Sequence, residues 1–171
     1  FGIAARDGGE ATVRRCKIFG ANGYGVGAAN GRVSVNECDI SGNTTAGVVL
    51  TNAGESIVRR CNIHDEISFG VMVGGEGRGV LEDCDISACV TAGVAIATGG
   101  NPTVQRCRIH HCKGAGVLTQ DKGQGIFQEC DIFGNANTGM KIAEGGKMSV
   151  RQCRVYEGKS SGIIIVGEQS G

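Results

Sequence analysis

Tryptophan is missing from this 171-residue chain, and it has only two Tyr and five Phe. That scarcity counts against a sugar-cleaving cleft, which is usually lined by aromatic rings around a carboxylate pair. Charge of one sign is missing too. Seventeen basic residues balance seventeen acidic ones, so recognition of nucleic acid or of an anionic membrane through bulk charge is not expected. No apolar run approaches the ~18 residues of a membrane span, and no secretory signal segment is visible. Leucine is scarce (Leu50, Leu81, Leu118). No segment places apolar residues at helical spacing, which excludes a leucine-rich repeat. A Ser-His-Asp arrangement, a Walker loop and a dinucleotide fingerprint are all absent. Matches such as Gly123-Gln124-Gly125 read as corners.

What the chain has is one unit written over and over. Cys16, Cys38, Cys61, Cys84, Cys107, Cys130 and Cys153 recur every 22 or 23 residues, each followed two places later by Ile or, at 155, Val. Gly2, Gly25, Gly47, Gly70, Gly93, Gly116, Gly139 and Gly162 keep the same period. A fixed period of this size marks a stacked array. Within a unit the apolar residues sit two apart on β-branched side chains, as in Val71/Val73 and Val94/Ile96, and another apolar residue stands three before each Cys. Period two is the strand signal. The expectation is an all-β fold: a right-handed, single-stranded parallel β-helix (a β-solenoid). It should have about seven coils of 22–23 residues, three short strands per coil, and one domain over 1–171. The chain begins and ends in mid-repeat, which suggests a piece of a longer protein or ends covered by partners; end-to-end self-association is a further option.

The seven cysteines form a structural ladder. Stacked coils put their Cα atoms ~4.8 Å apart, but parallel Cβ vectors stay too far apart for comfortable bridging, so free inward thiols are expected. Nine free thiols point to a reducing compartment and a cytoplasmic location. Cys89 and Cys112 stand five residues after ladder cysteines, in a column with Asn43 and Asn135. Their spacing is unlike the usual zinc pairs, and neither a metal nor a cofactor is expected.

Residues flanking each ladder Cys should face solvent. Arg15, Glu37, Arg60, Asp83, Arg106 and Glu129 alternate in sign from coil to coil, and Lys17, Asp39, Asn62, Asp85, Arg108, Asp131 and Arg154 nearly do. Opposite charges on paired strands help by ~0.2–1 kcal/mol, so these columns read as register devices. One corner gathers Asp65, Glu66, His110, His111, Tyr156 and Glu157, candidates for acid–base work but more simply scattered polar residues. Another carries Asp7, Asn30, Asn52, Asp121 and Glu144, with too few acids on consecutive coils for calcium.

The stretches Gly79-Val80-Leu81-Glu82-Asp83-Cys84-Asp85-Ile86 and Gly93-Val94-Ala95-Ile96 through Gln105-Arg106-Cys107-Arg108-Ile109 resemble the parallel β-helix repeats of the carbohydrate-binding and sugar-hydrolase class. The resemblance is nearest to the β-helix region of F-box-only ubiquitin-ligase subunits and similar bacterial repeat proteins. In that class the ladder position is usually Asn, where this chain has Cys. The resemblance implies a protein-binding scaffold or saccharide binding and cleavage, and no catalytic residue carries over. The expected task is a non-catalytic interaction module with a protein partner, docking at Glu76, Arg78, Asp121, Lys122, Glu144 and Lys147, where side chains vary most between coils. A carbohydrate-binding or carbohydrate-cleaving module is the alternative.

Overall fold

The computed structural model describes residues 1–52 and 54–167. All its regular elements are strands, three per turn over about seven turns of a parallel solenoid. The first sheet has eight strands, from Ile3–Arg6 through Phe69–Gly74 to Ile163–Ile165. The second has seven, from Glu10–Arg14 to Lys147–Arg151, and the third seven, from Lys17–Phe19 to Arg154–Tyr156. Every strand pairs in parallel with its counterpart one repeat on. Val71 lies beside Val94, Leu81 beside Val104, and Ile86 beside Ile109.

That register explains the core. Val48, Val71, Val94 and Val117 of the first sheet are fully buried, as are Leu81, Val104 and Phe127 of the second and Ile40 through Ile132 of the third. Burying each contributes roughly 1.5–3 kcal/mol. All nine cysteines are free, and Cys38, Cys61, Cys84, Cys107 and Cys130 of the ladder are buried. A hydrogen bond to the next thiol, together with burial, pushes the Cys61 and Cys107 thiols up. Expectation and structure part at the ends: Cys16 is exposed, Cys153 is half-buried, and Val150 is exposed. Ladder thiols reach back to the preceding coil, as Cys84 Sγ does to the Val58 carbonyl at 3.5 Å, and no described coil precedes that of Cys16.

Three left-handed corners turn each coil. The residue before the ladder Cys has φ of 51–55° in all seven repeats, although it is Arg, Glu, Asp or Gln there. The fourth residue after the Cys (Gly20, Gly42, Asp65, Ala88, His111, Gly134, Glu157) has φ of 53–65°. The column Asp7, Asn30, Asn52, Gly75, Thr98, Asp121, Glu144 has φ of 45–55°. Non-glycine residues adopt this conformation at a cost of ~1–2 kcal/mol each. The cost is offset because the corner amides still donate to the next coil: Arg60 N to Glu82 O and Asp83 N to Gln105 O, at 3.0 and 3.1 Å.

Charge registers the corners as the alternation predicts. Glu37 pairs with Arg15 at 2.9 Å and Arg60 at 3.6 Å, Asp83 with Arg106 at 2.8 Å, and Asp131 with both Nε and Nη2 of Arg154 at 2.6 Å.

Amides occur at two places in the column five residues after the Cys, Asn43 and Asn135, rather than at the Cys itself. Asn43 Oδ1 accepts from Ala21 N, and Asn135 Oδ1 accepts from Cys112 N, both at 3.0 Å. Glu66 occupies the same column and points inward, fully buried, not into the polar surface corner expected for it. Its carboxyl accepts from Asn43 N at 2.7 Å and Asn43 Nδ2 at 3.1 Å. Burial raises its pKa to about 7 against those two hydrogen bonds, which lower it. The glycine column lies against these side chains. A Cβ on Gly47 would stand 2.8 Å from Glu66 Oε1 and 2.6 Å from Ile63 Cγ2.

Two predictions follow from this core. Thr119 stands between Ile96 and Ile142, and its buried hydroxyl has no partner among the described residues. Thr119→Val keeps the shape and removes an unpaired polar group, so it should raise unfolding free energy by about 1–2 kcal/mol in urea; a loss would show the hydroxyl is bonded. Glu66 keeps its proton in the folded state up to about pH 7, whereas the unfolded chain releases it near 4.5. The native state therefore binds more protons in that interval. Stability should be full below about 4.5 and fall as pH rises through 7, by on the order of 3 kcal/mol. Glu66→Gln should flatten that decline in melts run across the range.

Candidate ligand-binding groove on the second sheet

In the second sheet the inward Val or Leu alternates with side chains that face out. One outward column runs Thr12, Ser34, Ile57, Val80, Thr103, Ile126, Ser149; the other runs Arg14, Asn36, Arg59, Glu82, Gln105, Gln128, Arg151. Short and long side chains alternate irregularly along both, so the face is not flat. Three depressions lie along it. The first is lined by Arg14, Ser34, Asn36, Ile57, Arg59 and Arg60. The second shares Ile57 and continues over Arg78, Val80, Thr103 and Ile126. The third shares Asn101 and Ile126 with the second and reaches Gln124, Lys147 and Ser149. Because neighbours share walls, the three form one groove parallel to the solenoid axis. From Arg14 to Ser149 it crosses six coil intervals, about 29 Å at ~4.8 Å each.

The groove has a charge although the chain has none. Arg14, Arg59, Arg60, Arg78 and Lys147 line it against one carboxylate, Glu55. Two rim carboxylates temper this: Glu82 takes Arg59 and Arg106, and Glu37 takes Arg15 and Arg60. Arg14, Arg78 and Lys147 make no ion pair among the described residues. The floor is mixed, with Ile126 exposed and Ile57, Val80 and Thr103 half-buried.

The six residues expected to form a docking face divide between two places. Glu76, Asp121 and Lys122 share a depression at the corner between the first and second sheets, beside Asn52, Thr98 and Gly99. Glu144 continues that corner one coil on, where its carbonyl accepts from Lys122 N at 3.0 Å. Arg78 and Lys147 lie round the corner in the groove. Sequence reasoning singled out these two cations and none of the other residues that line the groove. The available signal was the outward column one residue before the buried Val, where Ile57, Val80 and Ile126 stand on a face otherwise built of Ser and Thr.

The histidine corner assembles into something other than an acid–base site. On the outer face of the third sheet His110, Phe133 and Tyr156 stack face to face, with centroids 4.7 and 5.1 Å apart and interplanar angles of 10°. The stack, flanked by the Arg108 and Arg154 guanidiniums over the Phe133 and Tyr156 rings, fastens three coils together. His64 is held by Asp65 at 2.7 Å and Asp39 at 2.9 Å. Burial works against its charge, but those hydrogen bonds outweigh it and raise the pKa. His110 contacts Asp85 at 3.0 Å and His111 at 2.7 Å, and burial holds its pKa low. Both ring nitrogens of His64 and of His110 are thus engaged. Of the other two carboxyl groups of that corner, Glu66 is in the core and Glu157 is exposed. No cluster of three or more His, Cys, Asp or Glu among the described residues is arranged to hold a metal.

No curated protein sequence matches the chain. Solved structures do match in fold. The A-module of the mannuronan C-5 epimerase AlgE4 from Azotobacter vinelandii is 14% identical with a TM-score of 0.65, over 94% of this chain and 56% of that one. Pectate lyase Pel9A is 12% identical with a TM-score of 0.62, over 78% and 42%. The tailspike protein gp49 of Pseudomonas phage LKA1 is 16% identical with a TM-score of 0.56, over 85% and 31%. At these identities the likeness is one of fold. The chain spans between 31% and 56% of their lengths. None of these matches sets the F-box-only subunits apart as nearer kin. The family model described as the right handed beta helix region matches residues 1–155 and again 93–171, and the chain belongs to that family.

Proposed function

We propose that this chain is a carbohydrate-binding β-helix that holds a linear, acidic glycan along the second-sheet groove without cleaving it. The observation that carries this reading is the lining: five cations and one carboxylate along a groove that follows the solenoid axis. A polymer with repeated anionic groups meets cations distributed along the whole length of the groove. Guanidiniums suit carboxylates because their N–H groups form a planar fork. Ile57, Val80 and Ile126 offer apolar area to the C–H faces of sugar rings, and Asn101, Thr103 and Gln124 offer hydrogen bonds to hydroxyls. Glycosidic hydrolysis usually employs two carboxyl groups flanking the bond; here Glu55 is the one carboxylate in the lining, and Glu82 and Glu37 at the rim are tied up by arginines. Two fold neighbours carry the names of a lyase of pectate and an epimerase of mannuronan, both anionic chains, which supports the choice of ligand class.

A second reading, a protein-docking face, rests on the corner where Glu76, Asp121 and Lys122 meet. Mixed charge in one exposed depression suits a protein partner better than a polyanion.

Calorimetric titration with oligogalacturonate and oligomannuronate, against a neutral glucan, separates these readings. The acidic oligosaccharides should bind, the glucan should not, and affinity should fall with added salt because the contacts are exposed charges. Arg78→Glu with Lys147→Glu should weaken binding about tenfold or more, and Lys122→Glu should leave it unchanged. Equal binding by the double variant would overturn the groove reading.

A further inference from the structure

The end of the groove nearest the first coils differs from the rest, and we propose that it is a subsite for a tetrahedral oxyanion, a sulfate or phosphate monoester carried by the bound glycan. The inference deepens the glycan reading and rests on it. Arg14, Asn36 and Arg59 stand in one outward column on three successive coils. A short amide is thus flanked by two long guanidinium side chains whose backbones lie ~9.6 Å apart, twice the ~4.8 Å strand spacing. The result is a cradle floored by Ser34 and Asn36, walled by Arg14 and Arg59, and closed at the corner by Arg60.

Its chemistry is almost wholly that of donors. Guanidinium has N–H groups and no acceptor; Ser and Asn can each donate. No carboxylate lines the cradle. Glu82 is shared between Arg59 and Arg106 and Glu37 between Arg60 and Arg15, and Arg14 makes no ion pair among the described residues. Positive charge is therefore left over along this lining, on Arg14 above all.

Geometry selects the shape of the anion. A carboxylate offers two oxygens in one plane, which one arginine fork can satisfy. Here Arg14 stands on the coil before Asn36, Arg59 on the coil after it and Arg60 at the adjoining corner, with Ser34 and Asn36 between them. An ester group with three free oxygens around a tetrahedral centre can face all of them. Farther along the groove Arg78 and Lys147 are separate cations, each suited to a single carboxylate.

The test uses the whole chain with inorganic sulfate, inorganic phosphate and acetate at constant ionic strength, read by backbone amide NMR. Sulfate and phosphate should shift Ser34, Asn36 and Arg59 with affinities at least tenfold above acetate. Arg14→Ala and Arg59→Ala should each lose that preference; both side chains are exposed, and an unchanged melting temperature verifies the fold. Sulfated oligouronate should then bind more tightly than the unsulfated chain in the wild type and equally in Arg14→Ala. Acetate matching sulfate, or shifts that bypass these residues, overturns the subsite. If the unsulfated oligouronate still binds through Arg78 and Lys147, the groove reading survives that failure; if no acidic glycan binds, both fall. Binding confined to a phosphorylated peptide, with no glycan bound, also overturns the proposal.

Discussion

Each strand of this protein pairs with the same strand of the next coil, in parallel and in register, and the remaining features follow from that constraint. Pairing one coil apart fixes the separation of equivalent residues, so any residue type repeated in sequence becomes a column in space. An inward column of Val or Ile becomes core, an outward column of alternating charge becomes a chain of ion pairs, and an outward column of uneven size becomes a groove. A coil alone buries almost nothing. Stability is a sum over contacts between neighbours, which is why the outermost thiol column members, Cys16 and Cys153, are less covered than the five between them.

The register must survive three turns per coil, and left-handed backbone is how the chain makes them. Twenty-one corner positions have φ of 45–65°, and only four of them are glycine. Such a backbone is strained for Arg60 or Asp83, yet their amides keep their inter-coil hydrogen bonds and their side chains pair with charges above and below. The tight interior next to the glycine column has the opposite logic: there the backbone is ordinary and the space is short. Glu66 is the one carboxyl side chain drawn into this interior among the described residues, and Asn43 is the reason it can stay.

The architecture was legible because its signal is periodic. The Cys–x–Ile spacing, the glycine column and the period-two apolar runs each repeat seven or eight times, and each reports strand and stacking independently. Charge alternation around the Cys predicted ion pairs that exist. Three features were hidden. Left-handed corners usually announce themselves as Gly or Asn, and the column before the Cys carries Arg, Glu and Asp. The inward turn of Glu66 depends on membership of the Asn43–Asn135 column, which its charge disguises. The groove depends on relative side-chain height across coils, so Arg78 and Lys147 could be singled out as variable cations, while their alignment with Arg14 and Arg59 emerges only once the coils are stacked.

The register itself is open to a direct chemical test. Native protein exposed to a small thiol-alkylating reagent, followed by mass spectrometry of its peptides, should be modified quickly at Cys16 and more slowly at Cys153. Cys38, Cys61, Cys84, Cys89, Cys107, Cys112 and Cys130 should react only after unfolding, because they are buried. A strand slipped by one residue would carry its whole inward column to the surface, so rapid alkylation of those seven thiols in the folded protein would contradict the account.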